Sequence, residues 1–420
     1  MQTETTGNIT TINTTKFKTT LLKVAFKANL ERETITSRLL LSAILRNSSS
    51  TYTSKKALNA ALEDLYGASL STSAKKQGQT HVVSFYLQIS NEKFLTAAPP
   101  LFEDALKVLS EVLLNPRIEN GAFNKEVVAL EKRMLKEDIE SIYDDKTSYA
   151  LKKMVAAMCA DEKFGISGDG YIEDLKNIDE KTLVSTYQSM MTGDEVQITV
   201  LGDVTHDEIV SLANQHFKVE NDMRPALSAV DTEEKAVADV AHLSEEQLVN
   251  QTKLNLGYRT FTRIADADYF ALLVMNGVFG AYAHSKLFMN VREKESLCYY
   301  CAAQLDNFKG LMYVYSGLDI NQVDKAITII DQQLADVISG DFTDKELTLA
   351  KKSIVNAKRE SLDSASGMLA DLEIGLLLGM SADAFINRIE AVTKDDVKRV
   401  AAKIKKDTVF TLEPSKEVAV

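Results

Sequence analysis

The pattern of apolar and polar positions predicts strands and helices mixed within each half of the chain. Apolar, β-branched-rich runs over about Thr20 to Ala28 and about Gln251 to Tyr258 predict strands. Each is followed by a polar loop and a long apolar helix, about Thr36 to Leu45 in the first half and about Ala265 to Val278 in the second. His81 to Ile89 reads as a further strand, while Leu101 to Leu114 and Phe123 to Ile142 carry helical periodicity. Strict strand–helix alternation is absent, which favours an α+β class with helices packed on a mainly antiparallel sheet.

The pattern also occurs twice. Leu175-Lys-Asn-Ile-Asp179-Glu-Lys-Thr-Leu183, a helix and Val196 to Asp203 parallel Ile389-Glu-Ala-Val-Thr393-Lys-Asp-Asp-Val397, a helix and Thr408 to Leu412. Each reads as an N-capped helix feeding a closing strand, with Asp179 and Thr393 as the caps, because a short oxygen-bearing side chain there can accept from the first free backbone N–H groups. Two homologous domains follow, drawn at 1–220 and 241–420, with the polar, weakly periodic segment 221–240 as the connection. A chain of 420 residues exceeds what one hydrophobic core usually serves, in agreement with that division.

Composition narrows the function classes. Apolar residues at 45% and charged residues at 26%, without low-complexity tracts, belong to an ordered globular protein. A formal charge of −12 repels phosphate, and no local basic patch offsets it, so neither nucleic acid nor an anionic membrane is an expected partner. The Thr-rich first twenty residues lack the apolar core of a secretory signal. The apolar stretch from about Tyr269 to Ala283, interrupted by Asn276, Gly277 and Gly280, is too short to span a bilayer, so a cytoplasmic location is expected. Of three cysteines, Cys298 and Cys301 have C-x-x-C spacing; residues three apart in a strand point to opposite faces, which favours packing thiols over a redox pair.

Several motifs in a fixed order carry chemistry. In the first half they are Ala43-Ile-Leu-Arg-Asn-Ser48, then Ala57-Leu-Asn-Ala-Ala-Leu-Glu-Asp-Leu-Tyr-Gly67-Ala-Ser-Leu70, then Leu114-Asn115-Pro116 and Glu126-Val-Val-Ala-Leu-Glu-Lys-Arg133. In the second half Gly277-Val-Phe-Gly280, Ser285-Lys-Leu-Phe288, Arg292-Glu-Lys294, Tyr299 and Gly317 follow one another. This order resembles the pitrilysin/insulinase-type zinc peptidases, including the mitochondrial processing peptidases, over roughly residues 15 to 412.

In that family an H-x-x-E-H helix supplies two zinc ligands and a general base on one helix face, and an acidic third ligand comes from a later helix. The resemblance puts the two histidine positions at Arg38 and Ser42, the base position at Leu41 and the third ligand at Arg133. None can serve, and a cation at Arg133 would repel a divalent metal. The five histidines never lie within five residues of one another, and neither H-x-x-E-H nor H-E-x-x-H occurs. No metal or other cofactor is therefore expected in this chain.

The resemblance further implies that Arg292 binds backbone carbonyls of an extended peptide and that Tyr299 donates to the oxyanion formed when water attacks the scissile carbonyl, a catalytic and substrate-binding pair. Read from the residues alone, Arg292 could equally end a surface helix in solvated ion pairs with Glu293 and Glu295, and Tyr299 could merely pack in a strand. The implied function is a non-catalytic subunit that pairs with a zinc-bearing homologous peptidase, zinc being held by the partner, to form a heterodimeric metallopeptidase chamber for peptide substrates. In isolation a homodimer is open to it as well, and the sequence does not distinguish heterodimer from homodimer. The alternative of a different class is an inert scaffold or binding protein of the same fold; some Gram-positive relatives are named for an association with elongation factor P modification. A third reading, redox chemistry at Cys298 and Cys301, requires a low-pKa thiolate.

Overall fold

The computed structural model describes residues 2–96, 100–217 and 227–415. The chain forms two compact units, one of residues 1–141 and 166–229 and the other of residues 142–165 and 230–420. The second unit thus includes a segment from the first half of the sequence, 142–165, which lies inside the span 1–220 drawn from sequence. Of the expected connection, 221–226 lie outside the described residues, and 230–240 group with the second unit.

The first unit is built on a six-stranded sheet of β1 (Gln2–Thr6), β2 (Ile9–Asn13), β3 (Thr19–Asn29), β4 (Ser69–Gln77), β5 (Thr80–Ser90) and β6 (Glu195–Gly202). Their order across the sheet is β1-β2-β6-β3-β5-β4, antiparallel except where β2 pairs with β6. Its helices include α1 (Ile35–Leu45), α2 (Lys55–Asp64), α3 (Leu101–Leu114), α4 (Lys125–Asp144), which runs past the division between the units, and, beyond the segment 142–165, Glu180–Gly193 and His206–His216. The apolar face of the sheet, with Val24, Phe26, Val83, Phe85 and Leu87, packs on Leu41, Leu45, Leu109 and Leu183 from these helices.

The second unit opens with α5 (Lys146–Met158) and has a five-stranded sheet of β7 (Ala241–Gln247), β8 (Thr252–Arg259), β9 (Cys298–Asp306), β10 (Leu311–Leu318) and β11 (Lys405–Pro414). The order β9-β10-β8-β11-β7, with one parallel pair at β11 and β7, repeats strand for strand the order β4-β5-β3-β6-β2 of the first. The fold class expected from the pattern, one α+β layer used twice, is what the structure has. Both expected caps are present: Asp179 accepts from the backbone N–H groups of Lys181 and Thr182, and Thr393 from that of Asp396, each within a capping box.

The second sheet is covered on both faces. Leu254, Leu256, Met312 and Val314 belong to the core formed with the apolar helix Tyr269–Phe279 and its neighbours. On the other face, Leu311, Tyr313, Phe410 and Leu412 meet Ala150, Met154 and Met158 of α5. Gly257 permits this approach, since a Cβ there would stand 2.6 Å from the Met154 sulfur and 2.7 Å from that of Met158.

A buried ionic network ties the same segment to the sheet. Arg259, on β8, donates to both oxygens of Glu162 (2.6 and 3.0 Å), to Asp407 (2.8 Å) and to the Met158 carbonyl. Lys309 places its ammonium 2.5 Å from Glu162 and 2.6 Å from Asp231, with 1% of its side chain exposed. Removing one member strands opposite charges in a dry site, so Lys309→Met is expected to cost about 3–5 kcal/mol in chemical denaturation. Burial alone would raise the Glu162 carboxyl, but hydrogen bonds from Arg259 and Lys309 outweigh it and hold the group below the usual carboxylate range. Its contribution is present above the ordinary carboxylate value and is lost as the pH falls through the depressed one; Glu162→Gln should flatten that acid limb.

Candidate functional site

The four positions that the resemblance assigns to a zinc site lie on α1 and α4, and the structure gives each a different occupation. Arg38 is buried at 4% exposure and its guanidinium donates to both oxygens of Asp194, at 2.6 and 3.1 Å. Its Nε donates to Nδ1 of His81 at 3.1 Å. Leu41 is fully buried in the apolar core. The Ser42 hydroxyl donates to the Leu39 carbonyl at 2.7 Å, one turn back. Arg133 points to solvent and lies 3.8 Å from Glu137. The buried carboxylate of this helix is instead Glu131, which accepts from the side-chain amide of Asn47 at 2.8 Å.

These residues do not fit zinc. A guanidinium carries no lone pair for a metal, and the cavity that Arg38 and Asp194 line has carboxylates and hydroxyls but no imidazole or thiol on its wall. Among the described residues no group of three or more His, Cys, Asp and Glu side chains is arranged to hold a metal ion. Sequence reasoning singled out Arg38 but not its partners, because Asp194 and His81 are distant in sequence and stand in no motif with it.

In the second unit, Arg292 lies on a π-helical segment, Phe288–Lys294, and Tyr299 is the second residue of β9. The Arg292 side chain is 39% exposed, stacks over the Phe288 ring at 4.4 Å and approaches Glu293 only to 3.7 Å, so its donors are free to turn outward. Tyr299 is 80% exposed. Between them Ser296 has φ of +51°, and the Leu297 N–H bonds back to the Val291 carbonyl at 3.1 Å, closing the π segment with a left-handed residue. The strand and the wide helical turn thus leave both side chains on the surface rather than packing them.

The thiols differ from the opposite-face arrangement expected for C-x-x-C in a strand. Cys298 pairs with Leu318 and Cys301 with Ser316, so two residues, Tyr299 and Tyr300, oppose Gly317 alone. This bulge adds the residue that returns Cys301 to the face of Cys298. Burial is the leading influence on both and pushes both thiols up, which is the reverse of a reactive thiolate.

His81 supplies a test of the Arg38 site. Burial, followed by the Arg38 charge, lowers its pKa to about 3. The folded state therefore keeps it neutral while the unfolded chain protonates it near 6.5, so its contribution is intact above that value and is lost progressively as the pH falls toward 3. His81→Leu is expected to flatten stability against pH over this window in denaturant titrations. Arg38→Ala leaves Asp194 buried without its cation and should cost roughly 3–5 kcal/mol at neutral pH.

Comparison with known proteins bears on the whole chain. A family model described as the peptidase M16 inactive domain matches residues 177–354. A probable inactive metalloprotease, YmfF, of Bacillus subtilis is 36% identical over 96% of this chain and 94% of its own. A crystal structure of a conserved protein from Enterococcus faecalis superposes with a TM-score of 0.90 at 33% identity, covering 97% of this chain and 96% of that one. The peptidase M16 inactive domain from Pseudomonas fluorescens shares the fold at a TM-score of 0.80 and 18% identity, over 99% of this chain and 98% of its own. The chain belongs to the M16 peptidases, the pitrilysin/insulinase-type zinc peptidases, as an inactive homologue.

Proposed function

We propose that this protein is the non-zinc subunit of a two-chain metallopeptidase, completing the peptide-binding chamber of a zinc-bearing homologue. The observation that carries this reading is the contrast between the two sites. The zinc positions are filled by a buried ion pair and a core leucine, whereas Arg292 and Tyr299 remain exposed on a locally irregular backbone. Packing alone gives no reason for a tyrosine to stand 80% exposed at a bulge.

In such a pair Arg292 donates to backbone carbonyls of an extended peptide, and Tyr299 donates its phenolic proton in a hydrogen bond to the developing oxyanion. The zinc and its activated water come from the partner. Location in the cytoplasm suits this role; among the described residues no helix is long and apolar enough to cross a membrane.

The test is reconstitution with a co-encoded H-x-x-E-H homologue, followed by assay on an unfolded protein substrate. Tyr299→Phe should lower kcat about 10²–10³-fold, the usual effect of losing one oxyanion donor. Arg292→Ala should raise KM roughly tenfold or more by removing charge-assisted bonds to the peptide. Full activity in both variants would instead favour an inert scaffold of the same fold.

A further inference from the structure

The bulge that presents Tyr299 has its own supports, and they centre on the next residue. Tyr299 and Tyr300 together oppose Gly317, the one residue between Ser316 and Leu318. The Tyr300 ring occupies the space a side chain at Gly317 would need: a Cβ there would lie 2.9 Å from its Cε1 and Oη and 3.0 Å from Cζ. Lys253, the cross-strand neighbour of Gly317 on β8, holds its ammonium 5.7 Å over the same ring, and Tyr315 lies beside it at 6.2 Å. The phenol reaches the Thr147 hydroxyl of α5 at 3.4 Å, and the Tyr300 carbonyl accepts from the Ser316 hydroxyl at 2.8 Å.

The ring and phenol of Tyr300 are thus held on the face of the sheet that α5 covers, and its carbonyl is held by Ser316, the cross-strand partner of Cys301. Cys298 and Cys301 are held on the opposite face, Cys301 being 2% exposed. A regular strand would alternate its side chains between those faces; at the extra residue of the bulge Tyr299 stands 80% exposed beside the held Tyr300. We infer that Tyr300 is a positioning residue, whose ring seated on Gly317 and tethered to α5 fixes the bulge that projects Tyr299 outward. The consequence for peptide binding rests on the function proposed above; the geometry of the bulge does not.

Nitration by tetranitromethane, read at each tyrosine by peptide mass spectrometry, measures this on the intact chain. In the wild type Tyr299 reacts readily and Tyr300 slowly. Gly317→Ala removes no contact but forces the Tyr300 ring off its seat, so Tyr299 labelling should fall several-fold and Tyr300 labelling rise. Tyr300→Ala should likewise reduce Tyr299 labelling, Tyr300→Phe should preserve it, and adding Gly317→Ala to Tyr300→Ala should change nothing further, because the clash requires the ring. Thermal melts alongside separate repositioning from general unfolding, and Gly317→Ala carries the test if Tyr300→Ala does not fold. Unchanged Tyr299 labelling in folded Gly317→Ala and Tyr300→Ala would overturn the inference. Anisotropy of fluorescein-labelled β-casein tests the other reading separately: Arg292→Ala should weaken its binding, and if it does not, the peptide-binding function fails while the nitration result stands.

Discussion

The second sheet is buried on both faces, and much of what is particular to this molecule follows from that constraint. A five-stranded sheet with one face on its own helices would leave Leu311, Tyr313, Phe410 and Leu412 in water; α5 covers them, although it comes from the first half of the sequence. Close approach of that helix needs the bare backbone at Gly257 and fixes the charges of Glu162, Arg259 and Lys309 in a dry network. The same face receives the Tyr300 ring at Gly317. At the bulge in β9 beside that ring, Tyr299 stands exposed.

The position that the family resemblance gives to a zinc ligand, Arg38, holds a buried ion pair. Arg38 brings a permanent charge into the interior, which is tolerable because Asp194 takes both its terminal nitrogens and His81 stays neutral beside it. Replacing Arg38 alone would leave Asp194 buried without its cation.

Much of the architecture was legible in the sequence because it is local. Capping residues at Asp179 and Thr393, the apolar helices, and the repeated helix-then-strand pattern are short-range features, and together they implied one layer used twice. What was not legible depends on contacts distant in sequence: the pairing of Arg38 with Asp194, and the grouping of 142–165 with the second unit. The bulge at Tyr299 and Tyr300 defeated the simple alternation rule for Cys298 and Cys301, since periodicity cannot register one extra residue set by a glycine on the next strand.

In the proposed two-chain peptidase the exposed Arg292 and Tyr299 serve a zinc centre held by another chain. Native mass spectrometry of the complex isolated from its own cell, with metal content read from the same ions, tests this most directly. The expected result is a one-to-one complex with an H-x-x-E-H homologue carrying a single zinc ion, and none on this chain when the two are separated. A homodimer with no such partner, or zinc that stays with this chain after separation, would contradict it.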